Sequence, residues 1–205
     1  PWSSQALSIT MDLSIIIINY KTKKITADCL RSIQASTDSL KKEVIVVDND
    51  SQDDSVAYLK KHFPSFKVYS SGGNLGFARG NHFGYKKSKG KYLWLLNSDT
   101  ILNKTTIQSL YDLAIQNDSS IASCRLLNKD GSIQPQGGFL PTLPKLFFWM
   151  WFIDDLPIIK FLIRPYQQQR ISFYKQNQHP GWLGGTALLI KREVYQKLNG
   201  LDKKI

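Results

Sequence analysis

The residues best placed to do chemistry in this sequence stand where apolar runs stop. In "KYLWLLNSDT", Lys91 to Thr100, the unbroken apolar run from Tyr92 to Leu96 ends in Asn97, Ser98 and Asp99. An apolar run without alternation is the pattern of a strand covered on both faces of a parallel sheet. An acid directly after it has two readings. It either caps the helix that begins near Lys104 or forms a turn, or it faces a ligand at the mouth of the sheet. The arrangement recurs along the chain. Asn19 and Tyr20 follow "LSIIII", Asp48 and Asn49 follow "EVIVV", and a loop with Gly72, Gly73, Gly76 and Gly80 follows a short strand at Lys67 to Tyr69. Glycines let backbone N–H groups approach an anion, and Arg79 adds fixed positive charge beside them. Gly72 and Gly73 also suit a plain tight turn, so the weight lies in the joint placement of these groups at strand ends.

The elements that must position them alternate regularly. Buried strands are predicted at Leu13–Ile18, Glu43–Val47, Lys67–Tyr69, Tyr92–Leu96 and Ile121–Leu127. Helices are predicted at 22–34, with Ile25, Cys29, Leu30 and Ile33 on the buried face, after the cap-rich turn "DNDSQDDS", from the Gly-rich loop to about Lys87, and at 105–115. This alternation implies an α/β fold with a parallel sheet layered by helices. Beyond it come a turn around Asp130 and Gly131, an irregular aromatic-rich segment at about 139–178, a last apolar strand "WLGGTALLI", and the helix "REVYQKL" stopped by Asn199 and Gly200.

The 205 residues suffice for one substantial domain, and 42% hydrophobic content excludes disorder as the default. Lys and Arg outnumber Asp and Glu by 27 to 16, which favours an anionic partner: nucleotide phosphates, nucleic acid or an acidic membrane surface. Cys29 and Cys124 form no metal-ligand spacing or disulfide framework, which fits a reducing, cytoplasmic setting. Residues 1–10 contain no secretory signal and read as a leader ahead of the fold at 11–205. The stretch "LFFWMWFIDDLPIIKFLI" is interrupted by Asp154, Asp155, Pro157 and Lys160 too soon to span a membrane. Trp149 and Trp151 beside Lys145, Lys160 and Arg164 suit a segment lying on a membrane, and a core helix or a subunit contact suits the same residues.

The order of parts excludes two nucleotide-binding classes. A dinucleotide fingerprint belongs between the first strand and first helix, where "NYKTKK" has no glycine, and no Gly-Lys-Ser/Thr follows any strand. The stretches "LSIIIINYKTKKITADCLRSI", "EVIVVDNDSQDDS", "NLGFARGNHFGYKKSKGKYLWLLNSDT" and "GGTALLIKREVYQKLNGLD" resemble the successive motifs of the inverting family 2 glycosyltransferases with the GT-A fold, in the rhamnosyltransferase-like branch. The resemblance runs from Leu13 to Asp202 and is weakest between Phe139 and Gln178. It implies a GT-A, Rossmann-like, mostly parallel sheet flanked by helices, and transfer of a sugar from a nucleoside-diphosphate donor to a glycan or lipid-linked acceptor with inversion.

By that resemblance, Asp48 matches the acid that contacts the nucleotide base, with Asn19, Tyr20 and Asn49 in the same pocket. Asn74, Gly76, Arg79 and Asn81 match the loop bordering the ribose and diphosphate, with Asn97 and Ser98 also on the donor side. Asp99 matches the last acid of the family's Asp-x-Asp signature, which holds a divalent cation, Mg2+ or Mn2+. Asn97 stands where many relatives carry the first Asp, so the bound diphosphate is expected to supply much of the coordination. Trp182, Gly184, Gly185 and Asp202 match the acceptor or sugar side. The general base, which deprotonates the acceptor hydroxyl, is expected in a Glu-Asp motif beyond Ile205, making the chain a fragment at its C-terminal end; Asp154 and Asp155 read as solvated or helix-terminal acids. A dTDP- or UDP-sugar donor, work at the inner membrane face with peripheral membrane contact, and no nucleic-acid partner complete the expectation. The competing readings are a non-catalytic sugar-nucleotide-binding protein and, on charge alone, a basic nucleic-acid-binding module.

Overall fold

The computed structural model describes residues 11–153, 156 and 165–202. The expected leader at 1–10 and the readings placed on Asp154, Asp155, Pro157, Lys160 and Arg164 lie outside the described residues. The chain divides into two compact units, one formed by the residues up to Ala122 together with those from Gly185 on, the other by Ser123–Gly184.

The first unit is built on β1 (Met11–Asn19), β2 (Lys42–Asp48), β3 (Lys67–Ser70), β4 (Gly90–Asn97), β5 (Ile121–Ser123) and β10 (Ala187–Lys191), in the order β3-β2-β1-β4-β10-β5. The helices are α1 (Lys23–Gln34), α2 (Ser55–His62), α3 (Gly76–Lys87), α4 (Thr106–Gln116) and α6 (Arg192–Lys197). Strands β1 to β4 are parallel, as their continuous apolar runs require. Ile15, Ile16 and Ile17 of β1 and Val44 to Val47 of β2 are buried, each contributing about 1.5–3 kcal/mol of hydrophobic stabilisation. Alternation divides the sheet's covering. Ile16, Leu93, Leu95 and Ile190 pack with Tyr195 of α6 and Tyr85 of α3, whereas Tyr92 meets Tyr111 of α4 edge-on at 5.5 Å. Helix α3 lies close on its face because Gly84 has no Cβ; one built there would stand 2.5 Å from Ile16 Cγ2.

The sheet is mostly parallel, as expected, and β10 runs antiparallel to β4, a direction that a uniformly apolar stretch does not encode. Two details of the sequence expectation need correction. The predicted strand at 121–127 is split between β5 and β6 (Leu126–Leu127), and "WLGGTALLI" between β9 (Trp182–Leu183) and β10. Ile25 is 47% exposed; the buried face of α1 is Thr26, Ala27, Cys29, Leu30 and Ile33.

The second unit holds two small antiparallel pairs, β6 with β7 (Ile133–Gln134) around the expected turn, and β8 (Gly137–Gly138) with β9. Helix α5 (Leu143–Met150) and a 3-10 turn at Ile171–Lys175 fall in the segment expected to be irregular. Trp182 stacks on Tyr166 at 5.3 Å and donates its indole N–H to the Tyr166 carbonyl at 2.8 Å.

The amino end of the first sheet is closed by a buried carboxylate. Glu43 of β2 accepts hydrogen bonds from Ser14 Oγ (2.7 Å), Lys67 Nζ (2.7 Å) and the Lys89 N–H (2.5 Å), and Ser14 Oγ accepts the Gly90 N–H at 2.7 Å. Burial pushes the Glu43 carboxyl up, but the Lys67, Ser14 and Lys89 hydrogen bonds outweigh it and hold the group below its usual range. A carboxyl lowered in the folded state stabilises fully above its unfolded value of 4.5 and loses that contribution as pH falls through the folded value. Glu43→Gln should therefore flatten the acid limb of the stability profile below about pH 4.5, followed by urea denaturation at a series of pH values. At neutral pH the substitution should cost about 1–3 kcal/mol, because three donors lose a charged acceptor.

Candidate functional site

The carboxyl ends of the parallel strands are aligned by register: Asn19 pairs with Asp48, Asp48 with Ser70, and Ile18 with Asn97. Hence most of the residues singled out above in the first unit come to one edge. Asn19 is fully buried, and its amide donates to Asp48 Oδ2 (2.6 Å) and Ser51 Oγ (3.0 Å). Asp48, 4% exposed, also accepts the Ser51 N–H on Oδ1 (3.0 Å) and the Ser51 hydroxyl on Oδ2 (2.6 Å). Asn19 Oδ1 in turn accepts Thr26 Oγ1 (2.7 Å) and Thr22 Oγ1 (3.2 Å), which fixes which end of the amide faces the acid. Thr22 Oγ1 lies 3.4 Å from Ser98 Oγ. A continuous polar chain thus links Asp48 of β2, through β1, to the residue beside Asp99.

The Gly-rich loop is tied to the same edge. The Asn49 N–H donates to the Asn19 carbonyl (2.7 Å), its side-chain amide donates to Asn74 Oδ1 (2.9 Å), and its Oδ1 accepts the Leu75 N–H (2.9 Å). Asn74 Oδ1 also accepts the Gly76 N–H at 3.0 Å. Lys21, Asp50 and Gln52 carry left-handed backbone, as do Gly72 and Gly76. Non-glycine residues in that region persist only where surroundings enforce them, and they concentrate at ligand clamps and active sites. Lys21, Asp50 and Gln52 sit in the loops that leave β1 and β2; Asp118, Phe152 and Asn199 share the conformation elsewhere in the chain.

The remaining residues differ in what they present. Tyr20 is 42% exposed, and Arg79 is exposed on the first turns of α3. Asn81 is buried, with its amide donating to the Phe77 carbonyl, so it braces the start of α3. The Asn97 N–H is used by the Thr186 carbonyl and its own carbonyl accepts the Thr100 N–H and hydroxyl. This turn leaves Asp99 exposed, and α4 begins only after Thr105, so Asp99 is not its cap. Cys29, under the turn, has its thiol pushed up to about 11, chiefly by burial, with Asp99 adding a further upward push against the Thr100 hydrogen bond. It is a neutral packing group. Trp182 and Gly184 belong to the second unit, where the Gly184 N–H donates to the Gln136 carbonyl; Gly185 and Asp202 belong to the first and are exposed.

Among the described residues no group of three or more His, Cys, Asp or Glu side chains gathers to hold a metal. A single exposed carboxylate, Asp99, still fits a hard cation that keeps waters and shares itself with a phosphate ligand, the usual mode for Mg2+. Sequence reasoning missed Ser51, Thr22 and Thr26, the hydroxyls that orient Asn19 and Asp48. An Asp followed three residues later by Ser, as in "DNDS", is the signal for the first of these.

A family model described as Glycosyl transferase family 2 matches residues 14–197. The low-salt glycan biosynthesis hexosyltransferase of Haloferax volcanii is 32% identical over 148 residues, 65% of this chain and 46% of the relative. The poly(ribitol-phosphate) beta-glucosyltransferase of Bacillus spizizenii is 26% identical over 175 residues, 82% of this chain and 26% of the relative. The crystal structure of S. aureus TarS 1-349 in complex with UDP superposes with a TM-score of 0.63 at 18% identity, covering 95% of this chain and 51% of that one. A mannosyltransferase from Pyrobaculum calidifontis in complex with GDP-Man and Mn2+ gives 0.63 at 14% identity, covering 96% of this chain and 50% of that one. The chain therefore spans about half, or less, of the length of each of these proteins, and the structural likeness establishes the GT-A fold.

The Asn19–Asp48–Ser51 cluster predicts a stability effect independent of any ligand. Asp48→Asn sets a new N–H donor against the Asn19 amide or the Ser51 N–H, and should cost about 1–3 kcal/mol. The urea midpoint should fall at constant slope, while Tyr20→Phe at the exposed rim should stay within about 0.5 kcal/mol of the parent.

Proposed function

Because the chain belongs to glycosyl transferase family 2, we propose that its carboxyl edge binds a nucleoside-diphosphate sugar and that the full protein passes the sugar to a glycan or lipid-linked acceptor with inversion. The observation that carries this reading is the buried Asp48 carboxylate, held by donors at the meeting of β1 and β2. A carboxylate acceptor selects a base edge with an N–H, which uracil, thymine and guanine all offer; the motif resemblance narrows this to UDP- or dTDP-sugars. Tyr20, exposed beside it, supplies an aromatic surface for the base. Asn49, Asn74, Gly76 and Arg79 border the ribose and diphosphate, with Asn81 holding the loop in place and Arg79 contributing the positive charge that a diphosphate requires.

Asp99, with Asn97 and Ser98 beside it, holds Mg2+ or Mn2+ against the diphosphate in this reading. A cation bound there neutralises charge that develops on the leaving group. The neighbour bound to GDP-Man and Mn2+ supports the role of a cation. Gly185 and Asp202, of the unit that carries the donor edge, serve the sugar or acceptor side. A rhamnosyl donor is the narrower form of the proposal, carried by the motif resemblance, and the nucleotide donor puts the reaction in the cytoplasm.

Calorimetric titration of the chain with UDP, dTDP and GDP, each with and without Mn2+, tests this directly. UDP or dTDP should bind in preference to GDP, and Mn2+ should tighten binding by about tenfold or more, as expected for a cation bridging protein and phosphate. Asp99→Asn should remove the metal-dependent gain and keep most of the metal-free affinity. Failure of all three nucleotides to bind, with metal or without, would overturn the assignment of the pocket.

A further inference from the structure

We propose that α5 and the residues just after it form a membrane-surface element that seats the second unit on an anionic lipid bilayer. None of the eight residues of α5 is buried, yet the helix carries a single charge, Lys145. A stripe at helical spacing leads out of it: Leu143 is 85% exposed, Phe147 52%, Met150 68% and Trp151 68%, and Phe152 follows at 72%. Phe147 and Trp151 touch across one turn, at 5.9 Å between ring centres. Isolated exposed apolar residues are ordinary, but a contiguous aromatic and aliphatic patch marks an interaction surface.

The patch is anchored from behind. Trp149 meets Tyr166 edge-on at 5.6 Å, and Tyr166 stacks on Trp182 of β9. Lys145 Nζ is 5.8 Å from the centre of the Phe139 ring and donates to the Leu140 carbonyl at 3.1 Å, which holds a cation at the base of the helix. The helix therefore presents its stripe on a supported platform.

Charge selects the occupant. Between Ser123 and Gly184 the sequence has seven Lys or Arg against three Asp. A second copy of this unit would bring the same excess of positive charge to the contact and be repelled, whereas an anionic lipid surface is attracted by it. An eight-residue helix is about 12 Å long, far short of a bilayer, and among the described residues no helix is long and apolar enough to cross a membrane. Tryptophan and phenylalanine on one side with Lys and Arg nearby is the composition of an element lying in the headgroup region. The inference stands apart from the donor pocket, since none of these residues belongs to it.

Vesicle co-sedimentation of the chain, with phosphatidylcholine alone or mixed with phosphatidylglycerol, provides the test. The chain should partition onto the mixed vesicles, release progressively as salt screens the charges, and shift its tryptophan emission to the blue. The double variant Trp151→Ser with Phe152→Ser should reduce partitioning by at least about tenfold. Its thermal midpoint should match the parent, as both side chains are largely exposed. Absence of binding to anionic vesicles, or equal binding by the double variant, would overturn the proposal. So would self-association in sedimentation velocity that the same variant abolishes, since the stripe would then be a contact between copies of the chain.

Discussion

The hydrogen bond from the Asn19 amide to Asp48 is the contact on which the carboxyl edge of this molecule depends. Four parallel strands deliver their ends to the same side, and β1 and β2 end in register at these two residues. A carboxylate this deeply buried costs several kcal/mol unless donors surround it. Asn19 and Ser51 supply those donors, and in doing so dictate the path of the chain. Ser51 turns back onto Asp48, and the residues on either side of it, Asp50 and Gln52, carry left-handed backbone. Asn49 is left pointing at Asn74 and Leu75, and so the Gly-rich loop is fastened to the same point. Polar closure, more than apolar packing, specifies these loops.

Strand β2 carries an acid at each end of its apolar run, and both acids use a serine. Glu43 takes the hydroxyl of Ser14 at the amino end, and Asp48 takes that of Ser51 at the carboxyl end. The pairing fixes register more tightly than Ile and Val could. Sliding β2 by one residue exchanges its faces and moves each carboxylate away from its donors, a penalty that uniformly aliphatic strands would not impose. The two ends differ in one respect. Lys67 accompanies Glu43 as a cation, whereas the groups bonded to Asp48 are neutral donors.

Much of the architecture was legible in the sequence for the same reason that it is stable. Unbroken runs such as "IIII" and "VIVV" have only one comfortable home, a strand covered on both faces, and the polar residues after them had to lie together. Direction was not legible for β10, because "ALLI" is apolar throughout and pairs with β4 equally well either way. Ile25 was misassigned because helical spacing tolerates a neighbour: Thr26 takes the buried position, drawn there by its bond to Asn19. The supporting hydroxyls of Ser51, Thr22 and Thr26 were not legible as a group, since Ser and Thr occur in every loop and only distance selects the partners. The aromatic run at α5 was ambiguous for a different reason. Composition cannot separate a core helix from a surface one, and only the exposure of Leu143, Met150 and Trp151 does so.

The three acids at strand ends are sorted by what surrounds them. Glu43 and Asp48 are buried and supplied with donors from within the protein, Asp48 by two bonds on Oδ2 and one on Oδ1, so that on the proposed reading only its remaining acceptor position is open to a base. Asp99 is exposed, and the turn that carries it is held by backbone and hydroxyl bonds at Asn97 and Thr100 instead of by its carboxylate. A lone exposed carboxylate binds a divalent cation weakly, because one ligand replaces little of a tightly held hydration shell. Beside a diphosphate the balance changes, since the cation then bridges two anions that would otherwise repel. On the proposed reading, cation and nucleotide must therefore strengthen each other's binding by the same factor. The amide at Asn97, in place of a second acid, makes that mutual dependence stronger: the protein contributes one charge, and the donor must bring the rest.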